Sequence, residues 1–211
     1  MDPLVGLPSY PDNHFDLAIV DPPYGIGYDT QAAKGSGTKY GVAAAKKTTY
    51  KPTNWDCSIP DKSYFDELIR VSKNQIIWGW NYYTTHLPVC KCYVVWNKRT
   101  NGNFGDCESA FTSFDRPPVV FEFVWNGMIQ GDMKNKEVRT HPTQKPQKLY
   151  QRTLFDFAKP GDLILDTHVG SASSLIACES MGYNYVGYEL DPGYYAAAQN
   201  RMSKGIQMQL I

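Results

Sequence analysis

What the chain has little of already removes several classes of function. No apolar run approaches the roughly 18 residues that a membrane-spanning helix needs, so no membrane span is expected. The N-terminus, MDPLVGLPSYPDN, has no basic stretch followed by an apolar one, and it is not read as a signal peptide. The expected location is therefore the cytoplasm. There is no excess of charge of either sign: 21 Lys and Arg face 21 Asp and Glu, which rules out gripping a polyanion by bulk charge and leaves only local basic surface. Metal-ligand spacing is missing too. The five cysteines (Cys57, Cys90, Cys92, Cys107 and Cys178) include no CxxC, and His14, His86, His141 and His168 are scattered. Neither a metal site nor a disulfide framework is expected, and free thiols fit a reducing compartment. A GxGxxG turn is absent, which argues against a nicotinamide oxidoreductase.

What remains is an ordinary globular composition. Its 211 residues, 42% hydrophobic and 20% charged, suit one domain with a substantial core rather than a disordered chain. Short apolar runs predict strands at 15–20 (FDLAIV), 75–80 (QIIWGW), 92–96 (CYVVW), 119–125 (VVFEFVW), 162–166 (DLILD) and 185–189 (YVGYE), with a last strand at 206–211. Helical spacing predicts helices over 61–73, 148–158, 172–181 and 192–203. Strands alternating with helices make this an α/β chain with a mostly parallel sheet covered on both faces. Trp78, Trp80, Trp96 and Trp125 are expected as core or sheet cover rather than as ligand-stacking groups.

Ligands of such sheets bind beyond the carboxyl ends of the strands. Two of those ends carry unusual residues. Asp166-Thr167-His168-Val169-Gly170-Ser171-Ala172-Ser173-Ser174 leads from a strand through a small-residue turn into a helix, where backbone N–H groups collect. Glu189 ends the next strand, where an acid can accept ribose hydroxyls, so a nucleoside cofactor and an ordinary turn both remain open. Asp21-Pro22-Pro23-Tyr24 ends the first strand. Consecutive prolines supply carbonyls without local N–H partners. A carboxylate, a carbonyl and an aromatic plate suit a planar group bearing NH2; a capped proline turn is the plainer alternative. A third block, Arg139-Thr140-His141-Pro142-Thr143-Gln144-Lys145-Pro146, is a proline-bracketed basic loop, and its Lys145 could pair a carboxylate.

Taken in order, DPPY, HPTQKP and the DTHVGSASS turn resemble the S-adenosylmethionine-dependent amino-methyltransferases of DNA in their beta-class order. QIIWGWNYY (75–83) and VVWNK (94–98) look like stretches of small phage and prophage N6-adenine methyltransferases. The turn departs from the family's D-P-x-x-G-S-G-T: Thr167 stands for Pro, Ala172 for Gly and Ser173 for Thr. The Ala172 methyl is expected where backbone approaches the cofactor.

The resemblance implies a Rossmann-like methyltransferase fold: a mostly parallel, seven-stranded sheet with one antiparallel hairpin, forming a single catalytic domain over 1–211. It implies methyl transfer from S-adenosylmethionine to the N6 of a flipped-out adenine in double-stranded DNA, in a bacterial or phage-infected cell. No metal is implied. Asp21 and the Pro22 carbonyl would accept the amine hydrogens within the Asp21, Pro22, Pro23 and Tyr24 block, and Tyr24 would stack on the base. The cofactor would meet Asp21, Pro22, Thr143, Lys145, Asp166, His168, Gly170, Ser171, Ser173 and Glu189. Thr143 and Lys145 would sit near its carboxylate and Glu189 on its ribose.

DNA contact is expected from a mobile basic loop over 25–55, which carries Lys34, Lys39, Lys46, Lys47 and Lys51. A short target-recognition insertion at about 97–140 would add Lys98, Arg99 and Arg139. So short a segment implies a short recognised site or a homodimer. Asp21 favours adenine, because N4-cytosine enzymes of the family more often begin this block with Ser. The alternatives are N4-cytosine methylation and a catalytically silent relative that kept the fold. Protein-directed relatives more often begin the block with Asn.

Overall fold

The computed structural model describes residues 1–28, 53–99, 105–125 and 129–207. A short helix α1 (Pro3–Gly6), started by the Asp2 side chain on the Leu4 N–H, leads through a 3-10 turn into β1 (Phe15–Val20). Then come α2 (Lys62–Val71), β2 (Ser72–Trp78), β3 (Cys92–Asn97), β4 (Cys107–Thr112) and β5 (Val119–Glu122). The chain closes with α3 (Gln147–Phe157), β6 (Leu163–Asp166), α4 (Ser173–Ser180), β7 (Asn184–Gly187) and α5 (Pro192–Gln207).

These strands make one seven-stranded sheet in the order β5-β3-β4-β2-β1-β6-β7. Only β4 runs against the others, pairing antiparallel with both β2 and β3. The mostly parallel sheet with one antiparallel hairpin is thus as the sequence implied. β1 sits between β2 and β6 and is apolar at nearly every position because both of its faces are covered. Leu17 and Ile19 pack with Leu149 and Leu154 of α3 and Ala177 of α4; Phe15, Ala18 and Val20 pack with Phe65 and Leu68 of α2.

Three expectations need correction. The seventh strand is β4, not the C-terminus: α5 continues to Gln207, and residues 208–211 lie outside the described residues. β4 lies inside the stretch 97–140 expected as a target-recognition insertion, and β5 lies there too. CESAFT shows little of the apolar alternation that marks a strand; pairing on both sides makes it one. Finally, α2 passes straight into β2, which ends at Trp78, so Trp80 belongs to a 3-10 turn.

Among the described residues no helix is long and apolar enough to cross a membrane. The five cysteines are free. Trp78, Trp96 and Trp125 are buried.

Candidate active site

The adjacent strands β1 and β6 end in Asp21 and Asp166, and two cavities open beyond them. One, of about 770 Å³, is lined by His168, Gly170, Ser171 and Glu189, with Tyr194 and His141 among its aromatic walls. The other, of about 540 Å³, is lined by Pro22, Tyr24, Trp96, Lys98, Glu108 and Trp125. Asp21, Trp55, Thr143, Gln144 and Lys145 line both, so Asp21 stands on the boundary between them.

The larger cavity is acidic. Among the described residues Asp2, Asp21, Asp61, Glu189 and Asp191 line it against one ammonium, Lys145. Its two imidazoles add no positive charge near neutrality. Burial, helped by Arg139 and Lys145, pulls His141 down to about 3, and burial pulls His168 down to about 4. Glu189 accepts the Gly170 N–H at 2.7 Å and the Asp191 N–H at 2.9 Å, which fixes the strand end against the turn. Burial raises the Glu189 carboxyl above its usual range.

Asp166 and Ser173, expected at the cofactor, do not line this cavity. Asp166 lies beneath the turn, accepting the His168 N–H at 2.9 Å and the Ser174 hydroxyl. Burial pushes its carboxyl up to about 7. Ser173 takes the Arg201 guanidinium at 2.8 Å, and the same Arg201 holds the Ser171 carbonyl and Glu137, tying α5 to the turn. Ala172 has φ 62°, a left-handed conformation that favours glycine, which accounts physically for the family's Gly at this point. Its methyl is fully buried with Val169, Leu175 and Ala198 instead of lining the larger cavity.

On the smaller-cavity side the Asp21 carboxylate is held from two directions. Lys145 Nζ lies 2.5 Å from Oδ2, and the Tyr24 hydroxyl donates to Oδ1 at 2.8 Å. Lys145 was expected near the cofactor's carboxylate; its ammonium is instead engaged by Asp21 and by Glu108, 3.1 Å away. Glu108 in turn meets Lys98, expected at DNA, at 2.5 Å inside the site. Burial raises the Asp21 carboxyl despite the opposing pull of Lys145. Burial would raise Glu108 as well, but Lys145 and Lys98 outweigh it and hold that carboxyl at about 2. Lys145, although buried, is held above its usual value by the two carboxylates.

Tyr24 stacks on Tyr82 with centroids 4.8 Å apart, so one ring face already has a partner. Gly79, with φ 71°, makes room for that ring: a Cβ there would overlap it. The Pro22 carbonyl is also engaged. The buried Tyr83 hydroxyl lies 2.7 Å from it and 2.8 Å from the Pro23 carbonyl, leaving Pro22 a second lone pair for a ligand. Arg139 lines the smaller cavity and donates to the Pro142 carbonyl; Arg99 is exposed and pairs with Glu122. Lys34, Lys39, Lys46, Lys47 and Lys51 lie outside the described residues.

Sequence reasoning missed Asp56, Tyr83 and Glu108. Asp56, almost fully buried, accepts the N–H groups of Tyr24, Gly25 and Tyr28 and so fixes the exit of the DPPY block. Nothing local marks these residues, because their partners lie tens of positions away in the chain. Among the described residues no cluster of His, Cys, Asp or Glu could hold a metal ion.

A family model described as DNA methylase (N6_N4_Mtase) matches residues 95–200, half of the chain. The chain belongs to this N6/N4 DNA methylase family. Curated relatives include Type II methyltransferase M.HpaI of Haemophilus parainfluenzae, 34% identical over 68 residues that cover 32% of this chain and 22% of that protein. Type II methyltransferase M2.DpnII of Streptococcus pneumoniae is 33% identical over 79 residues, covering 37% of this chain and 29% of that protein. The matched stretches therefore span less than a third of these relatives' own length.

Solved structures share the methylase fold. The cytosine-N4-specific PvuII DNA methyltransferase aligns with 99% of this chain and 89% of its own at TM-score 0.61 and 14% identity. TTHA0409 of Thermus thermophilus, solved with S-adenosyl-L-methionine, aligns with 97% of this chain and 93% of its own at TM-score 0.54 and 17% identity.

Proposed function

We propose that this N6/N4 DNA methylase transfers the methyl group of S-adenosylmethionine to the exocyclic N6 of adenine in double-stranded DNA, after the base has left the helix. The observation that carries the reading is the position of Asp21, a carboxylate on the boundary between an acidic cavity and a second cavity with aromatic walls. The larger cavity fits the cofactor by charge: among the described residues, five carboxylates against one ammonium favour a ligand that carries a sulfonium and an ammonium group. Glu189, His168, Gly170, Ser171 and Thr143 would hold it there.

When bound, S-adenosylmethionine would supply an electrophilic methyl on cationic sulfur, with a neutral thioether as the leaving group once the amine lone pair has taken that methyl. The residues of this chain do the positioning. An aromatic amine is a poor nucleophile because its lone pair is delocalised into the ring. Asp21 accepts one of its hydrogens, and the free lone pair of the Pro22 carbonyl accepts the other. Both acceptors draw the lone pair back onto nitrogen and hold it in line, so orientation and electrostatics supply most of the rate. Tyr24, braced by Tyr82 and by Asp21, lines the smaller cavity and would meet the base there. A base inside a duplex cannot reach Asp21, so flipping precedes transfer, aided by base–aromatic contact. DNA would be gripped by the basic stretch containing Lys34, Lys39, Lys46, Lys47 and Lys51, together with Arg99 and Arg139.

N4-cytosine is the second reading, since cytosine also presents an exocyclic NH2. Expression in a host without DNA methylation of its own, followed by digestion to nucleosides and mass analysis, separates the two. N6-methyladenine is expected. N4-methylcytosine would replace the first reading with the second, and neither product would overturn both.

A further inference from the structure

A line of four alternating charges runs along the wall of the smaller cavity: Asp21 at the end of β1, Lys145 in the loop before α3, Glu108 on β4 and Lys98 just after β3. Successive contacts are 2.5, 3.1 and 2.5 Å. Lys145 and Asp21 are largely removed from water, with side chains 4% and 17% exposed, so their fields are poorly screened. Glu108 acts on Lys145 more through its charge than through a hydrogen bond.

The arrangement is not what stability alone favours. Buried ion pairs are often no better than apolar packing of the same volume. It also sets a difficulty for catalysis. After transfer the target nitrogen carries a positive charge until one of its protons leaves, and a bare ammonium beside Asp21 would oppose that charge. A carboxylate on the far side of the ammonium cancels most of this opposition.

We propose that Glu108 is a positioning residue for methyl transfer: by offsetting the Lys145 ammonium it leaves Asp21 with the negative charge and proton affinity needed to hold the target amine and take its proton. Lys145 keeps Asp21 ionised and in place, and Glu108 sets how far Lys145 damps it. The proton released from nitrogen passes to the Asp21 carboxylate and from there to water. The inference rests on the methyl-transfer reading, and it assigns Glu108 a role exerted through Lys145.

Among the described residues, groups face Asp21 from each element packed around it. Tyr24 comes from its own loop, Lys145 from the loop before α3, Glu108 from β4 and Tyr83 from the segment after β2. Tyr64 of α2, Tyr150 of α3 and Asp166 of β6 also feel its charge. The tyrosines are all pushed upward by burial and stay neutral across the working range. Asp166 belongs to the other strand end.

The test is a carbon-13 titration of side-chain carboxyls in the whole protein without DNA or cofactor, with the Asp21 signal assigned by its loss in Asp21→Asn. Glu108→Gln should lower the Asp21 midpoint by about one pH unit, and Lys145→Gln should raise it by about as much or more. Lys98→Gln, a more peripheral change that keeps the test open if a buried variant fails to fold, should raise it by less. In the methylation assay the acid limb of the rate profile should move the same way in each variant. Glu108→Gln should lower kcat about tenfold near neutrality with little change in KM for DNA.

A merely structural Glu108 would lower activity without moving the midpoint. Midpoints that stay put, or that move in one direction in both Glu108→Gln and Lys145→Gln, overturn the proposal even if DNA is methylated. Opposite shifts in a protein that methylates no DNA overturn the methyl-transfer reading, and with it the catalytic use assigned to this coupling.

Discussion

Asp21 and Asp166 are the same residue at the ends of neighbouring parallel strands, yet they do different work. Asp21 faces cavity space and leans on a buried ammonium, with a tyrosine hydroxyl as its second partner. Asp166 faces neither of the two cavities; its partners are a backbone N–H and a serine hydroxyl, and among the described residues no cation pairs with it. Both carboxyls are raised by burial, but only Asp21 has a neighbouring cation to oppose the rise. An acid at a strand end is therefore ambiguous on its own. What reaches it from distant segments decides whether it meets a substrate or braces a turn.

The largest effect should separate these two acids. Asp21→Ala is expected to cut methyl transfer by about a hundredfold to a thousandfold, the scale of losing one preorganised electrostatic partner, while cofactor Kd, read by calorimetry, changes by less than about threefold. Asp166→Asn should cost kcat less than about tenfold at saturating cofactor. Equal losses in the two variants would break the comparison.

Asp166→Asn should instead show itself in stability against pH. Its carboxyl binds a proton more tightly folded than unfolded, so the fold loses stability as pH rises from about 4 toward about 7. The amide lacks that slope. Denaturant melts should therefore favour the variant increasingly between pH 5 and pH 8, by on the order of 2 kcal/mol. A constant difference across that range would show that Asp166 does not titrate there.

Tyr83→Phe sharpens the Asp21 side. It strips the hydroxyl from the Pro22 and Pro23 carbonyls and leaves buried acceptors unmet, at a cost of about 1–3 kcal/mol in urea melts. kcat should fall further than cofactor affinity, because the Pro22 oxygen shifts.

The smallest effect belongs to the Asp166 side. Ala172→Gly relieves left-handed strain of about 1 kcal/mol but gives up a buried methyl and adds chain entropy, so stability should move by less than about 1 kcal/mol. Cofactor Kd should stay within about twofold, since the methyl faces Val169, Leu175 and Ala198. A tenfold gain in affinity would place that methyl at the cofactor after all.

The sequence alone determined what is local. Apolar runs such as FDLAIV and DLILD mark strands buried on both faces, prolines and small residues mark where they stop, and the ordered DPPY, HPTQKP and DTHVGSASS blocks mark the family. Each depends on residues within a few positions of one another, which is the range over which backbone preference and side-chain periodicity act.

Only the tertiary structure decided what depends on partners far along the chain. β4 is a strand because β2 and β3 flank it, despite the weak pattern of CESAFT. Lys145 binds Asp21 across 124 positions, Tyr83 reaches Pro22 across 61, and Asp56 gathers N–H groups about 30 positions before it. Such contacts are fixed by how strands order in the sheet and by the cost of burying a charge or carbonyl without a partner, and neither is written in any short stretch of residues.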